Sequence, residues 1–195
     1  MASYTDDFAG TLAAWNADSG TWTPTSGTLR QTSPTGVYRK LRYLSAMDSN
    51  NYYSEAALRS SNGSNGAGVF VRGIVSAVVT MYLYLVFGDD ASYMVELTAG
   101  AETILATGGA YTASTLITAR CTANGTALTG TRGGTADIST TDGTLTTGAV
   151  GIGSYGAIDG ANDNWDNWAG ADLVQPVFPL PDVVNDLRRN AVYRM

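Results

Sequence analysis

Asn164-Trp165-Asp166-Asn167-Trp168, close to one end of the chain, answers Asp6-Asp7-Phe8 and Gly20-Thr21-Trp22 close to the other. Each stretch sets an aromatic residue beside Asp, Asn or Gly, the pattern of a strand that meets a turn. Between them runs a series of short alternating segments, punctuated by Gly, Asn, Asp and Ser. The bracket predicts one β-sandwich whose first and last strands meet.

Working outward, Thr21-Trp22-Thr23 and Thr28-Leu29-Arg30-Gln31 flank Pro24-Thr25-Ser26-Gly27 and form a hairpin. Tyr52, Ser54, Ala56 and Leu58 alternate with Tyr53, Glu55, Ala57 and Arg59, as in a half-buried strand. The longest strand is expected over 78–87, and both of its faces are apolar or aromatic: Met81, Leu83, Leu85 and Phe87 on one, Tyr82, Tyr84 and Val86 on the other. Such a strand lies in the middle of a sandwich, or has one face covered by a ligand or partner. Asn124-Gly125 is the strongest short turn signal and joins strands at 116–122 and 126–131. About twelve strands with turns roughly every 8–12 residues make a sandwich or barrel.

Three of these places together resemble the concanavalin A-like jelly roll, as in laminin G-like domains and carbohydrate-binding modules. They are Asp6-Asp7-Phe8 with Gly20-Thr21-Trp22, then Gly66-Ala67-Gly68-Val69-Phe70-Val71-Arg72, then Val150-Gly151-Ile152-Gly153 with Asp166-Asn167-Trp168. The resemblance covers residues 4–173. It implies an all-β, antiparallel jelly-roll β-sandwich, and it is a pattern of strands more than a chemical signature.

Composition narrows the function. The 195 residues are 44% hydrophobic and 14% charged, enough apolar material for one domain with a sizeable core. The net charge of -6 and pI of about 4.4 argue against nucleic acid, whose phosphates need Lys and Arg. Arg39-Lys40-x-Arg42 and Arg188-Arg189 read as local solvated patches. No apolar run reaches the ~18 residues of a membrane helix, and Met1 leads into Ala2-Ser3-Tyr4 without a signal peptide. The lone Cys121 shares a face with Ile117 and Ala119 and reads as a buried, inert thiol of a chain made in a reducing cytoplasm.

Catalysis finds few tools. The chain has no His, so the common nucleophile triads fail, and a Ser-Lys pair would need Lys40 on an exposed edge. Glucanases that share the jelly roll use paired carboxylates, and glycoside cleavage needs two of them across the bond. Glu55, Glu96 and Glu102 have no acidic neighbour at i±2 or i±4. Gly151-Ile152-Gly153-Ser154-Tyr155-Gly156 matches G-x-G-x-x-G, but a turn at 157–160 follows where a dinucleotide fold needs a helix. No enzyme is expected.

Two binding chemistries remain. Asp159, Asp163 and Asp166 sit in a Gly/Asn-rich loop and are candidate ligands of a structural Ca²⁺. A plain turn with Asx hydrogen bonds is the competing reading, and no other cofactor is called for. Among the aromatics, Trp165, Tyr82 and Tyr84 are the candidate platforms for stacking a sugar ring, against a packing role for most such rings.

Composition changes at Gln175. We divide the chain into a sandwich domain, 1–174, and a Pro-rich C-terminal arm, 175–195. Pro176-Val177-Phe178-Pro179-Leu180-Pro181 must be extended, and residues 182–192 are expected to form a short helix capped by Asp182. Pro176, Phe178, Pro179, Pro181, Val183, Leu187, Arg188 and Arg189 are the candidate partner contacts. These features together suggest a non-enzymatic virion protein, a bacteriophage capsid decoration or a head or tail fibre component made in the host cytoplasm. Its sandwich and arm would bind neighbouring subunits in a homo-oligomer or lattice, with no nucleic acid or membrane as partner. The alternative is a lectin-like module that binds a surface glycan.

Overall fold

The computed structural model describes residues 1–33, 36–76, 78–158 and 164–173. In chain order the strands are β1 (Ser3–Asp6), β2 (Trp15–Ser19), β3 (Trp22–Thr25), β4 (Thr28–Gln31), β5 (Tyr38–Tyr43), β6 (Tyr52–Arg59), β7 (Gly66–Gly73), β8 (Met81–Phe87), β9 (Ala91–Thr98), β10 (Ala101–Ala110), β11 (Ile117–Asn124), β12 (Ala127–Arg132), β13 (Thr135–Thr141), β14 (Ala149–Tyr155) and β15 (Asn164–Asp172). No helix occurs among the described residues. The candidate arm residues, and Asp159 and Asp163, lie outside them.

The strands form two antiparallel sheets. Sheet A runs β13-β12-β11-β6-β15-β4-β3, with β1 also on β15. Sheet B runs β10-β9-β8-β7-β14-β5-β2. The chain's two ends meet as expected: Ser3 pairs with Ala171 and Asp6 with Trp168. β15 bulges between Asp166 and Ala169 in its ladder with β6, where Asn167 takes a φ of 46°. On one side of this bulge β4 pairs at Trp165, and on the other β1 takes over. The expected hairpins at β3–β4 and β11–β12 are present, the second with Gly125-Thr126 as its two loop residues. Two strands escaped the sequence reading, β2 and β13, both on sheet edges.

The interior between the sheets takes one face of each alternating strand, including Leu41, Ala56, Leu58, Val69, Tyr82, Tyr84, Val150 and Ile152. Cys121 is there too, and burial pushes its thiol up to about 12. Three side chains in this interior tie their polar groups across it, since an unpaired one costs about 1–3 kcal/mol. Trp165 Nε1 donates to the Gly68 carbonyl (3.0 Å), and Trp168 Nε1 to Ser54 Oγ (2.9 Å), which in turn donates to the Gly151 carbonyl (2.8 Å). Arg72, only 2% exposed, donates to the carbonyls of Leu145, Asn50 and Gly125 and so pins three loops.

One basic cluster departs from the sequence reading. Lys40 is not on a solvated edge. Its side chain is 0% exposed and lies 3.2 Å from Asp18, itself 4% exposed, and it also donates to the Ile74 carbonyl. Arg42 grips the same carboxylate with two bonds of 3.1 and 3.2 Å. Burial drives the Lys40 pKa down while Asp18 holds it up. Glu55 makes a surface pair with Arg120 directly across the two strands (2.7 Å).

Asp137 collects a second network. Tyr84 donates to it (2.7 Å), as do Ser92, the Gly109 amide (3.0 Å) and Arg132. Burial opposes its charge, yet these donors outweigh burial and hold the carboxyl below its ordinary value. The same burial, with the carboxylate beside it, drives the Tyr84 hydroxyl well above its ordinary value.

This layout sets two stability outcomes. Asp18→Ala leaves two buried cations without their counter-charge and should cost about 3–5 kcal/mol in urea unfolding; a loss under about 1 kcal/mol contradicts the buried triad. A carboxyl whose folded pKa is depressed stabilises above its unfolded pKa of about 3.9, and that stability is lost as pH falls through the folded pKa. Asp137→Asn should therefore unfold more easily than the parent at pH 6, with the gap narrowing below about pH 4. A gap constant from pH 6 to pH 3 would sink the assignment.

Candidate functional site

β8 carries the clue. Tyr82, Tyr84 and Val86 point between the sheets, whereas Met81, Leu83, Leu85 and Phe87 belong to a second cluster with Phe70, Val95 and Leu97 on the outer face of sheet B. Large side chains settle there because β7 and β14 present glycines beneath them. A Cβ on Gly66 would meet the Phe87 ring at 2.8 Å, and one on Gly153 would meet Leu83 Cδ1 at 2.8 Å. The side chains lie across these bare lanes, which explains how an outer face can be dry.

The sheet also curls over this face. Tyr38 on β5 and Glu102 on β10 are separated by four intervening strands. At about 4.8 Å per strand a flat sheet would hold them about 24 Å apart. Instead the Tyr38 hydroxyl hydrogen-bonds the Glu102 carboxylate, and burial together with that carboxylate raises the Tyr38 pKa far above its ordinary value. The edge strand β10 and the penultimate strand β5 thus approach each other across the outer face of sheet B through their side chains. Strong coiling of this kind stems from the right-handed twist of strands, accumulated over seven of them.

Where these two strands approach, a pocket of about 240 Å³ remains. Its walls are rings in successive contact: Tyr38 against Tyr155 (4.9 Å between centroids), Tyr155 against Phe87 (6.0 Å) and Phe87 against Tyr93 (5.7 Å). Leu85, Val95 and Ile104 complete the apolar lining, and Asp90 and Glu102 supply carboxylates. Asp90 Oδ1 accepts from the Ala91 amide (2.7 Å). The volume falls just below the roughly 300–1,000 Å³ of drug-sized pockets, so it suits a small group, apolar on its faces and polar at its edge.

The aromatic platforms expected from the sequence are elsewhere. Trp165, Tyr82 and Tyr84 are 0% exposed and face the interior between the sheets. Their polar atoms are engaged by Gly68, Asp142 and Asp137, and burial together with Asp142 pushes the Tyr82 hydroxyl up to about 12. No ring face among them is open to a sugar. The inward parity of β8 and β15 decides this, and a strand with two apolar faces does not disclose it. The pocket's Tyr38, Tyr93 and Tyr155 were missed. Their only signal was the lane of Gly66, Gly68, Gly151 and Gly153, which marks the face where large side chains lie flat.

Of the candidate cation ligands only Asp166 is described. It lines a groove with Arg30, Arg59 and Asn164, and no cluster of three or more metal-binding side chains occurs among the described residues. The three glutamates do not converge. Glu55 pairs with Arg120 on the outer side of sheet A, Glu96 is buried opposite Tyr82, and Glu102 stands alone of the three in the pocket.

No family model and no curated protein matches the chain. Solved structures do. The carbohydrate-binding module CBM66 from Bacillus subtilis superposes with a TM-score of 0.66 at 15% identity, over 82% of this chain and 92% of that one. The exoplasmic/lumenal domain of VIP36, in its Ca²⁺/Man3GlcNAc-bound form, gives 0.60 at 13% identity over 91% and 90%. A Bacillus licheniformis β-glucanase gives 0.60 at 13% identity over 88% and 98%. At such identities the likeness is one of fold, and it agrees with the strand pattern derived above: the described chain is a concanavalin A-like jelly roll.

Proposed function

We propose that this protein is a non-catalytic glycan-binding module, and that the pocket at the closure of sheet B holds a terminal sugar residue. The observation that carries the reading is the pocket's lining. Aromatic rings offer flat apolar walls with a polar rim, and the Glu102 carboxylate, beside the Tyr38 hydroxyl, offers an acceptor at the mouth. A sugar presents the matching surfaces: a C–H face for a ring and hydroxyl donors for a carboxylate.

Hydrolysis gains less support. Two carboxylates must flank the scissile bond, and neither Glu55 nor Glu96 is near the pocket. Asp90 remains engaged with its own strand's amide. The virion role expected from composition and the C-terminal arm draws no support from the solved structures that share the fold, two of which are named for carbohydrate binding or recognition.

A glycan array probed with the full chain tests the proposal, followed by titration of any hit against two variants. Tyr93→Ala removes one wall, and Glu102→Gln keeps the shape but removes the charge. Each should weaken binding by about tenfold or more, since a lost wall or charged hydrogen bond is worth about 1.5–3 kcal/mol, while thermal melts stay close to the parent. An array without hits, or hits indifferent to both variants, would falsify it.

A further inference from the structure

The end of the sandwich where the described chain stops carries an apolar groove of about 470 Å³. Leu44, Ala46, Ile74, Val75 and Ala149 line it. Val75 is 70% exposed, Leu44 52% and Ile74 39%, an unusual concentration of open aliphatic surface for a chain whose other large aliphatics are mostly buried.

The chain leaves the sandwich at the same end as this groove. Leu173 donates its amide to the Asn51 carbonyl, and Asp172 accepts from the amides of Asp48 and Ser49. This loop and the start of β6 are tied to residues at or next to the groove. Asn50 offers its carbonyl to Arg72, the residue before Gly73, and Tyr52 donates to the Gly148 carbonyl. Gly73 and Gly148 both line the groove, and Ser45-Ala46 leads straight from its wall to Asp48.

The sequence beyond Leu173 suits the groove. After Val174 and Gln175 comes Pro176-Val177-Phe178-Pro179-Leu180-Pro181. As extended chain, Val174 and Gln175 add about 7 Å of reach before Pro176. Alternating prolines fix an extended chain before any contact is made, so docking such a segment in an apolar groove loses little conformational freedom.

We propose that residues 176–181 dock in the groove of Leu44, Ile74 and Val75 within the same molecule. The arm is then a strap on its own domain, which differs from the expectation that it reaches for a neighbouring subunit.

Two measurements on the full-length chain test this. In the first, Val75→Cys and Phe178→Cys are combined and oxidised with oxidised glutathione, with the buried Cys121 as silent background. The expected product is an internally bridged monomer on a non-reducing gel. A disulfide-linked dimer places the arm in a second copy and overturns the proposal, as do two thiols that stay free. The second guards against a loose arm that bridges by proximity alone. Val75→Asp, at a position open enough to leave the fold intact, should speed elastase cleavage after Val177, within the docked stretch, by about tenfold. An unchanged rate overturns docking at this groove.

Discussion

Everything distinctive here depends on the coiling of sheet B. A sandwich of two gently twisted sheets has one dry interior and two wet outer faces. In this chain one sheet bends until β10 and β5 approach across its outer face, and Tyr38 reaches Glu102. That adds a second enclosed apolar cluster, of which Met81, Leu83 and Leu85 form the floor. The glycines of β7 and β14 are the other half of the same arrangement, because side chains that must lie flat need bare backbone beneath them.

The coil also accounts for the buried charges. Lys40 and Arg42 lie on the face that becomes covered, so neither can stay hydrated. Asp18 on the neighbouring strand β2 supplies the counter-charge, and the Ile74 carbonyl takes a further Lys40 proton. Charges removed from water are tolerated only with such partners. The pocket is the part of this enclosed face that side chains leave unfilled.

The sequence made some of this legible. Period-two alternation located most strands, and the Asp-Phe and Asp-Asn-Trp brackets identified the meeting of the ends. The doubly apolar run of β8 announced a covered outer face without saying what covers it. Other features were hidden for physical reasons. Trp15-Asn16-Ala17-Asp18-Ser19 and Thr135–Thr141 are edge strands, open on much of their surface, so neither shows a strong apolar face. Arg39-Lys40-x-Arg42 looks solvated because burial of its lysine depends on an aspartate twenty-two residues earlier in the chain and on the curl of a whole sheet. Parity misled the choice of ring platforms: alternation shows that Tyr82 and Tyr84 share a face, but not which of two apolar faces is the inner one.

The pairing of β1 with β15 has a consequence for how such a fold is used. With Ser3 opposite Ala171, the backbone arrives and departs at a single corner. A unit of this kind can be grafted into an exposed bend of a host polypeptide without prising the host apart, because the host's two cut ends need hardly move. Its opposite pole, where Tyr38, Phe87 and Tyr155 gather, would then project away from the graft.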